Sequence, residues 1–130
     1  MKYLKSYNES IRDKMSPKSE DEILISLNAD PNVSYKNTHK SGVGTHLIGE
    51  YTTSYDVLVK LFGKPQLEDW IGNNFYWSLI SNNGHIVTIY DNNSGLEADE
   101  LKNQEYKWHI GGKDSQDANN LIGYIIKNTN

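Results

Sequence analysis

The chain contains no cysteine, and that absence removes disulfides, thiolate metal sites and cysteine nucleophiles in one step. Basic charge is also short, with 13 Lys and Arg against 17 Asp and Glu for a net charge of −4. A sequence-independent nucleic-acid binder needs a basic stripe to displace counterions from phosphates, so no direct nucleic-acid contact is expected. Long apolar runs are missing as well. Nothing approaches the roughly 20 apolar residues of a membrane span, and the N-terminus lacks the apolar core of a signal peptide, so no membrane association is expected. Phenylalanine is scarce, two residues against nine Tyr and three Trp. Tyr and Trp suit half-wet binding faces, but their β-propensity on a half-exposed sheet is the simpler account.

What the chain does have is a β-rich centre from Phe75 to Gly112. Phe75-Tyr76-Trp77-Ser78-Leu79-Ile80 and His85-Ile86-Val87-Thr88-Ile89-Tyr90 are runs of equal length, separated by Ser81-Asn82-Asn83-Gly84. Asn-Gly accepts the positive φ angles of a tight turn, which predicts a hairpin turning on Asn83-Gly84. That turn sets Ile80 opposite Val87, Leu79 opposite Thr88 and Trp77 opposite Tyr90. Trp108-His109-Ile110-Gly111-Gly112 supplies a third strand, and the exposed face of the sheet is expected around Trp77, Tyr90 and Trp108.

Helices flank this centre. Tyr3, Tyr7, Ile11 and Met15 recur every four residues and lay a thin apolar stripe along one helix. A second helix opens on the capping pattern Ser19-x-x-Glu22, carries Ile23, Leu24, Ile25 and Leu27, and stops before Pro31. Residues 32–44 turn polar and read as a linker or loop. Thr45–Tyr51 is a strand. Thr53 or Ser54 then caps a helix with Val57, Leu58, Leu61 and Phe62 on one face, and Gly63 and Pro65 close it. Leu67–Asn74 reads as a connector, and a last helix spans 115–127. The predicted organisation is a helical N-terminal arm over 1–31, a linker over 32–44 and an α+β core domain over 45–130. That core is a β-α-β-β-β-α unit, a small, mostly antiparallel sheet with its helices on one face.

Candidate site residues fall into two groups. Between the second and third strands lie Asp91, Glu97, Asp99, Glu100 and Glu105 against Lys102 alone. This connection is either a solvated loop or an acidic epitope for a basic partner surface. The other group could hold a ligand. Trp77, Tyr90, Trp108 and His109 offer flat rings, and Gly111-Gly112-Lys113 ahead of a helix offers backbone N–H groups to an anion. No Gly-x-Ser-x-Gly elbow is present, and the carboxylates Glu50, Asp56, Glu68, Asp69 and Asp91 all have loop or cap explanations. His46, His85 and His109 fall on or beside strands without metal-ligand spacing. No catalytic residue, metal or cofactor is therefore assigned.

Four segments carry a family resemblance. They are Ser54-Tyr55-Asp56-Val57-Leu58-Val59-Lys60-Leu61-Phe62-Gly63-Lys64-Pro65, Tyr76-Trp77-Ser78-Leu79, Gly84 with Ile86-Val87-Thr88-Ile89-Tyr90-Asp91, and Trp108-His109-Ile110-Gly111-Gly112. In order and spacing they resemble a family of small, uncharacterised proteins found mostly in bacteriophage genomes. The resemblance covers residues 45–126 or so. The opening Asn8–Glu20 resembles leaders on otherwise unrelated phage proteins. Where relatives often carry a basic residue after Ile-Tyr-Asp, this chain has Asn92-Asn93, which weakens any anion site there. The resemblance implies phage origin and residence in the host cytoplasm, and it brings no catalytic residues with it. The expected function is a non-enzymatic binding protein that inhibits a host target, with a bacterial defence component such as a CRISPR nuclease as the leading partner. The alternatives are a sponge for a nucleotide signal and a virion or assembly accessory protein.

Overall fold

The structure, a computed structural model, describes residues 20–40, 44–70, 73–91, 100 and 104–129. In chain order the elements are α1 (Glu20–Leu27), β1 (Tyr35–Asn37), β2 (His46–Ser54), α2 (Tyr55–Phe62), β3 (Leu67–Trp70), β4 (Asn73–Ser81), β5 (Ile86–Tyr90), β6 (Glu105–Gly112) and α3 (Ser115–Asn128). The strands form one antiparallel sheet in the order β1-β4-β5-β6-β2, with β3 also paired to β4. The fold is α+β.

The local signals act as their chemistry dictates. Ser54 caps α2 by accepting the Val57 N–H at 3.2 Å. Gly63 ends it at φ +83°, donating its N–H to the Val59 carbonyl at 2.8 Å. Asp114 caps α3 by accepting from Gln116 N–H at 3.0 Å. At the end of α1, Asn28 takes a left-handed conformation, φ 54°, so the helix stops three residues before Pro31 rather than because of it.

The hairpin forms with a different turn from the one expected. Ser81 N–H donates to the His85 carbonyl and Gly84 N–H to the Ser81 carbonyl, each at 2.9 Å. Asn82, Asn83 and Gly84 therefore make a three-residue loop, with Gly84 at φ +88°. This is the arrangement in which a type I turn is followed by a left-handed residue. The longer loop moves the register by one residue. Ile80 faces Ile86, Leu79 faces Val87, Trp77 faces Ile89, and Tyr76 rather than Trp77 faces Tyr90. Because side chains alternate along a strand, one residue of register moves each side chain to the other face.

The inner face carries Phe75, Trp77, Leu79, Val87, Ile89, Trp108, Ile110 and Tyr51, all buried. Trp77 and Trp108, expected on an exposed face, are 0% and 1% exposed. Their rings meet edge-on at 5.4 Å. Each indole N–H reaches a backbone carbonyl, Trp77 to Gly63 at 2.8 Å and Trp108 to Thr53 at 2.9 Å. Each ring removes roughly 200 Å² from water, worth on the order of 5 kcal/mol before entropy at about 25 cal/mol per Å². That gain, with the polar tip satisfied, is why both rings are inside.

Helices α2 and α3 cover this face, Tyr55 of α2 lying against Trp77 and Phe75. Ile23 of α1 is 2% exposed in the same core, and α1 approaches α3 so closely that a Cβ on Gly123 would lie 3.3 Å from Leu24 Cδ2, and 2.6 Å from the Cβ of Ala29 just beyond the helix. α1 is thus a component of the domain and not an arm, while residues 1–19 lie outside the described residues. The expected linker likewise contains β1, with Val33 and Tyr35 buried in the core. The expected connector at 67–74 contains β3 and the start of β4.

Candidate functional site

The outer face of the sheet is set by the same register. One row across four strands reads Tyr76, Tyr90, His109, Glu50, each residue paired with the next. The adjacent row, Ser78, Thr88 and Gly111, is buried. Part of its cover is the chain joining β1 to β2, which must pass from one edge of the sheet to the other. Ser78 Oγ–H donates to the Lys40 carbonyl at 2.8 Å. Thr45 sits against Gly111, where an added Cβ would lie 3.4 Å from Thr45 Oγ1 and only 2.4 Å from Thr88 Oγ1. Gly111 is therefore a packing requirement of this face.

Beyond that covered row the face opens. The Tyr90 ring stacks on His109 with centroids 5.6 Å apart and 23° between planes. Glu50 lies at the far side of the imidazole, Oε2 at 3.2 Å from His109 Nε2, and its Oε1 is 3.9 Å from Lys107 Nζ. Glu50 and Lys107 are about half exposed and the His109 side chain is 17% exposed. The other ring nitrogen, His109 Nδ1, is the only buried side-chain polar atom among the described residues with no hydrogen-bond partner. Burial raises the Tyr90 hydroxyl above its ordinary value, so it stays a neutral donor and acceptor. A half-exposed ion pair such as Glu50–Lys107 contributes only about 0–1 kcal/mol, so an incoming charged group can take over Glu50 at small cost.

The acidic connection leaves the sheet beside this patch, since Tyr90 precedes Asp91 and Glu105 opens β6. Asp91 itself is 0% exposed. Its Oδ1 accepts the Phe75 N–H at 3.3 Å, and the Tyr106 hydroxyl donates to its carbonyl. It is a buried anchor and not part of a surface epitope. Glu100 and Glu105 are exposed; Glu97 and Asp99 lie outside the described residues.

Of the expected ligand residues, the fold brings Tyr90 and His109 together and separates the others. Trp77, Trp108 and Gly112 belong to the inner face, where a Cβ on Gly112 would meet Ile48 at 2.6 Å. Gly111 and Gly112 are paired strand residues opposite Leu47 and His46, and the N-terminus of α3 is already capped by Asp114 with Asp117 in its first turn. The Gly111-Gly112-Lys113 turn is therefore not an anion cradle: its glycines serve packing and carboxylates hold the helix end. His85 binds Asp117 through Nδ1 at 2.8 Å, tying the hairpin turn to α3. Among the described residues no three His or carboxylate side chains gather as a metal site, and no helix is long and apolar enough to cross a membrane.

Sequence reading missed Glu50 and Lys107. Lys107 was accessible by simple alternation, two residues before His109 on one strand. Glu50 was not, because its place beside His109 depends on the pairing of two strands far apart in the chain. Neither protein-family models nor curated proteins give a match to this chain.

Proposed function

We propose that this is a phage-encoded, non-enzymatic binding protein that inhibits a host defence protein by occupying a basic surface of it. The observation that carries this reading is the stacked Tyr90–His109 pair with Glu50, half open on the sheet face away from the helices and next to the acidic connection. Aromatic side chains flanked by exchangeable charge are what protein-binding hot spots are made of. Glu50, Glu97, Asp99, Glu100 and Glu105 would meet Arg and Lys of the partner, giving specificity and a fast, salt-sensitive association.

The test is affinity capture from host lysate, followed by assay of whatever protein is recovered in stoichiometric amount. The expected result is one such protein, inhibited by this chain. Reversing Glu97, Asp99 and Glu100 to Lys, or replacing Tyr90 with Ala, should weaken both capture and inhibition. Capture unaffected by these changes removes the mechanism.

A second reading, sequestration of a nucleotide signal, draws on the Tyr90–His109 stack, on which a base could lie. It separates cheaply from the first. A nucleotide that binds only the folded state must raise the melting temperature, and no shift with cyclic or linear nucleotides at millimolar concentration rejects it.

A further inference from the structure

We propose that the apolar groove between α1 and α3 is the docking site of residues 3–15 of the same chain. The groove has a volume of about 640 Å³ and is walled by Leu24, Ile25, Ala29, Pro31, Val33 and Tyr124. Ile25 stands at its lip, 78% exposed, the most exposed large apolar side chain among the described residues. Burying an isoleucine is worth roughly 1.5–3 kcal/mol, so an open wall of this kind favours an apolar occupant.

The residues just ahead of α1 have the matching chemistry. Tyr3, Tyr7, Ile11 and Met15 repeat at intervals of four, the spacing that places side chains along one stripe of a helix. Ser16-Pro17-Lys18-Ser19 is a connector of the length that joins antiparallel helix pairs. Turned back along α1 as a helix, the stripe would run in register with the groove: Met15 would fall by the start of α1, Ile11 level with Leu24 and Ile25, and Tyr7 and Tyr3 level with Ala29, Pro31 and Val33. The tether decides between this occupant and a second molecule. A short connection supplies an effective concentration in the millimolar range, so the chain's own segment outcompetes the same segment offered by a second molecule at lower concentration. This proposal is independent of what the outer sheet face binds.

The experiment compares the full chain with a version beginning at residue 16, and titrates a synthetic peptide of residues 1–19 into the shorter one. The shorter protein should melt several degrees lower and exchange its Leu24 and Tyr124 amides faster. The peptide should bind saturably and restore both, and Ile25→Asp should abolish its binding. Ile11→Asp in the full chain gives the same exchange readout without truncation. Equal protection in all forms, together with no peptide binding, overturns the proposal. A full chain that is dimeric and becomes monomeric on truncation also overturns it, by placing the segment in a neighbouring copy's groove.

Discussion

Asp91 takes a carboxyl group entirely out of water at the point where β5 gives way to the acidic connection. A buried polar group persists when its hydrogen bonds are made, and Asp91 accepts the Phe75 N–H that would otherwise be stranded at the inner face. Replacing it with Ala removes that acceptor, and an unsatisfied buried donor costs about 1–3 kcal/mol. Asp91→Ala should therefore lower the unfolding free energy by that amount, read as a lower urea midpoint at unchanged slope, with Asp91→Asn losing less. Glu105→Gln, at an exposed position, should stay within about 0.5 kcal/mol of the parent. An Asp91→Ala protein as stable as the parent would sink the anchor role. Composition cannot separate these two acidic residues, because the distinction is one of strand parity. Asp91 continues the inner-face alternation of Val87 and Ile89, and parity is known only once the strand's end is known.

At the scale of elements, the same edge of β4 is shared by two short strands, β1 and β3, with a break between them. The Gln66 side chain fills the break. Its Oε1 accepts the Ser78 N–H at 2.8 Å, and its Nε2 donates to the Ser78 carbonyl at 2.8 Å and to the Thr38 carbonyl at 2.5 Å. One amide side chain thus does what a backbone peptide of a continuous strand would do. Gln66→Ala strands the Ser78 N–H in a position only 2% exposed, while the Ser78 carbonyl keeps the Thr38 N–H at 3.0 Å. The expectation is a loss of about 1–3 kcal/mol, with accelerated exchange of the Ser78 amide. Wild-type exchange there would remove the bridging role.

Elements with a local signature were legible. α2 has its serine cap and its glycine stop, α3 its aspartate and its apolar face, and β4–β5 its two matched runs. β1 and β3 were not, because three or four residues are too few for a period and they exist only as partners of β4. The register failed on a single residue, since Asn82 and Asn83 can both enter a turn and only the tertiary contacts of Asn82 decide. Its side chain bonds the Asn32 carbonyl and the Ser34 N–H, fixing the hairpin tip to the segment before β1. The candidate site inherited that error: with the register one residue off, Trp77 was set beside Tyr90, and the true neighbour across β6, His109 with Glu50, came from strands no local rule could pair.

For the molecule as a whole, three tyrosines couple stability to high pH. Burial, with the nearby carboxylates of Asp117 and Asp30, raises Tyr35 well above the ordinary value of 10.0. Burial also raises Tyr90, and burial with Asp91 raises Tyr106. In the unfolded chain these phenols lose protons near their ordinary value, while the folded protein still holds them. The native state then binds more protons, so stability is fully present below about pH 10 and falls as pH climbs beyond it. Denaturation midpoints from pH 8 to 11.5 should show this decline, and Tyr35→Phe should make it shallower. A flat profile in the parent would contradict the burial of these hydroxyls.

The pairing of β2 with β6 joins residues 46–54 to 105–112. During synthesis, β2 leaves the ribosome long before its only described neighbour in the sheet has been made. The β4–β5 hairpin can close as soon as it emerges, but β2 has to wait until nearly the whole core has been translated. For that interval a nine-residue strand remains an unsatisfied template, and closing the sheet must await one long-range event late in elongation. Ribosome-bound chains that stop before Glu105 should accordingly be protease-sensitive at β2 even where the hairpin is already protected.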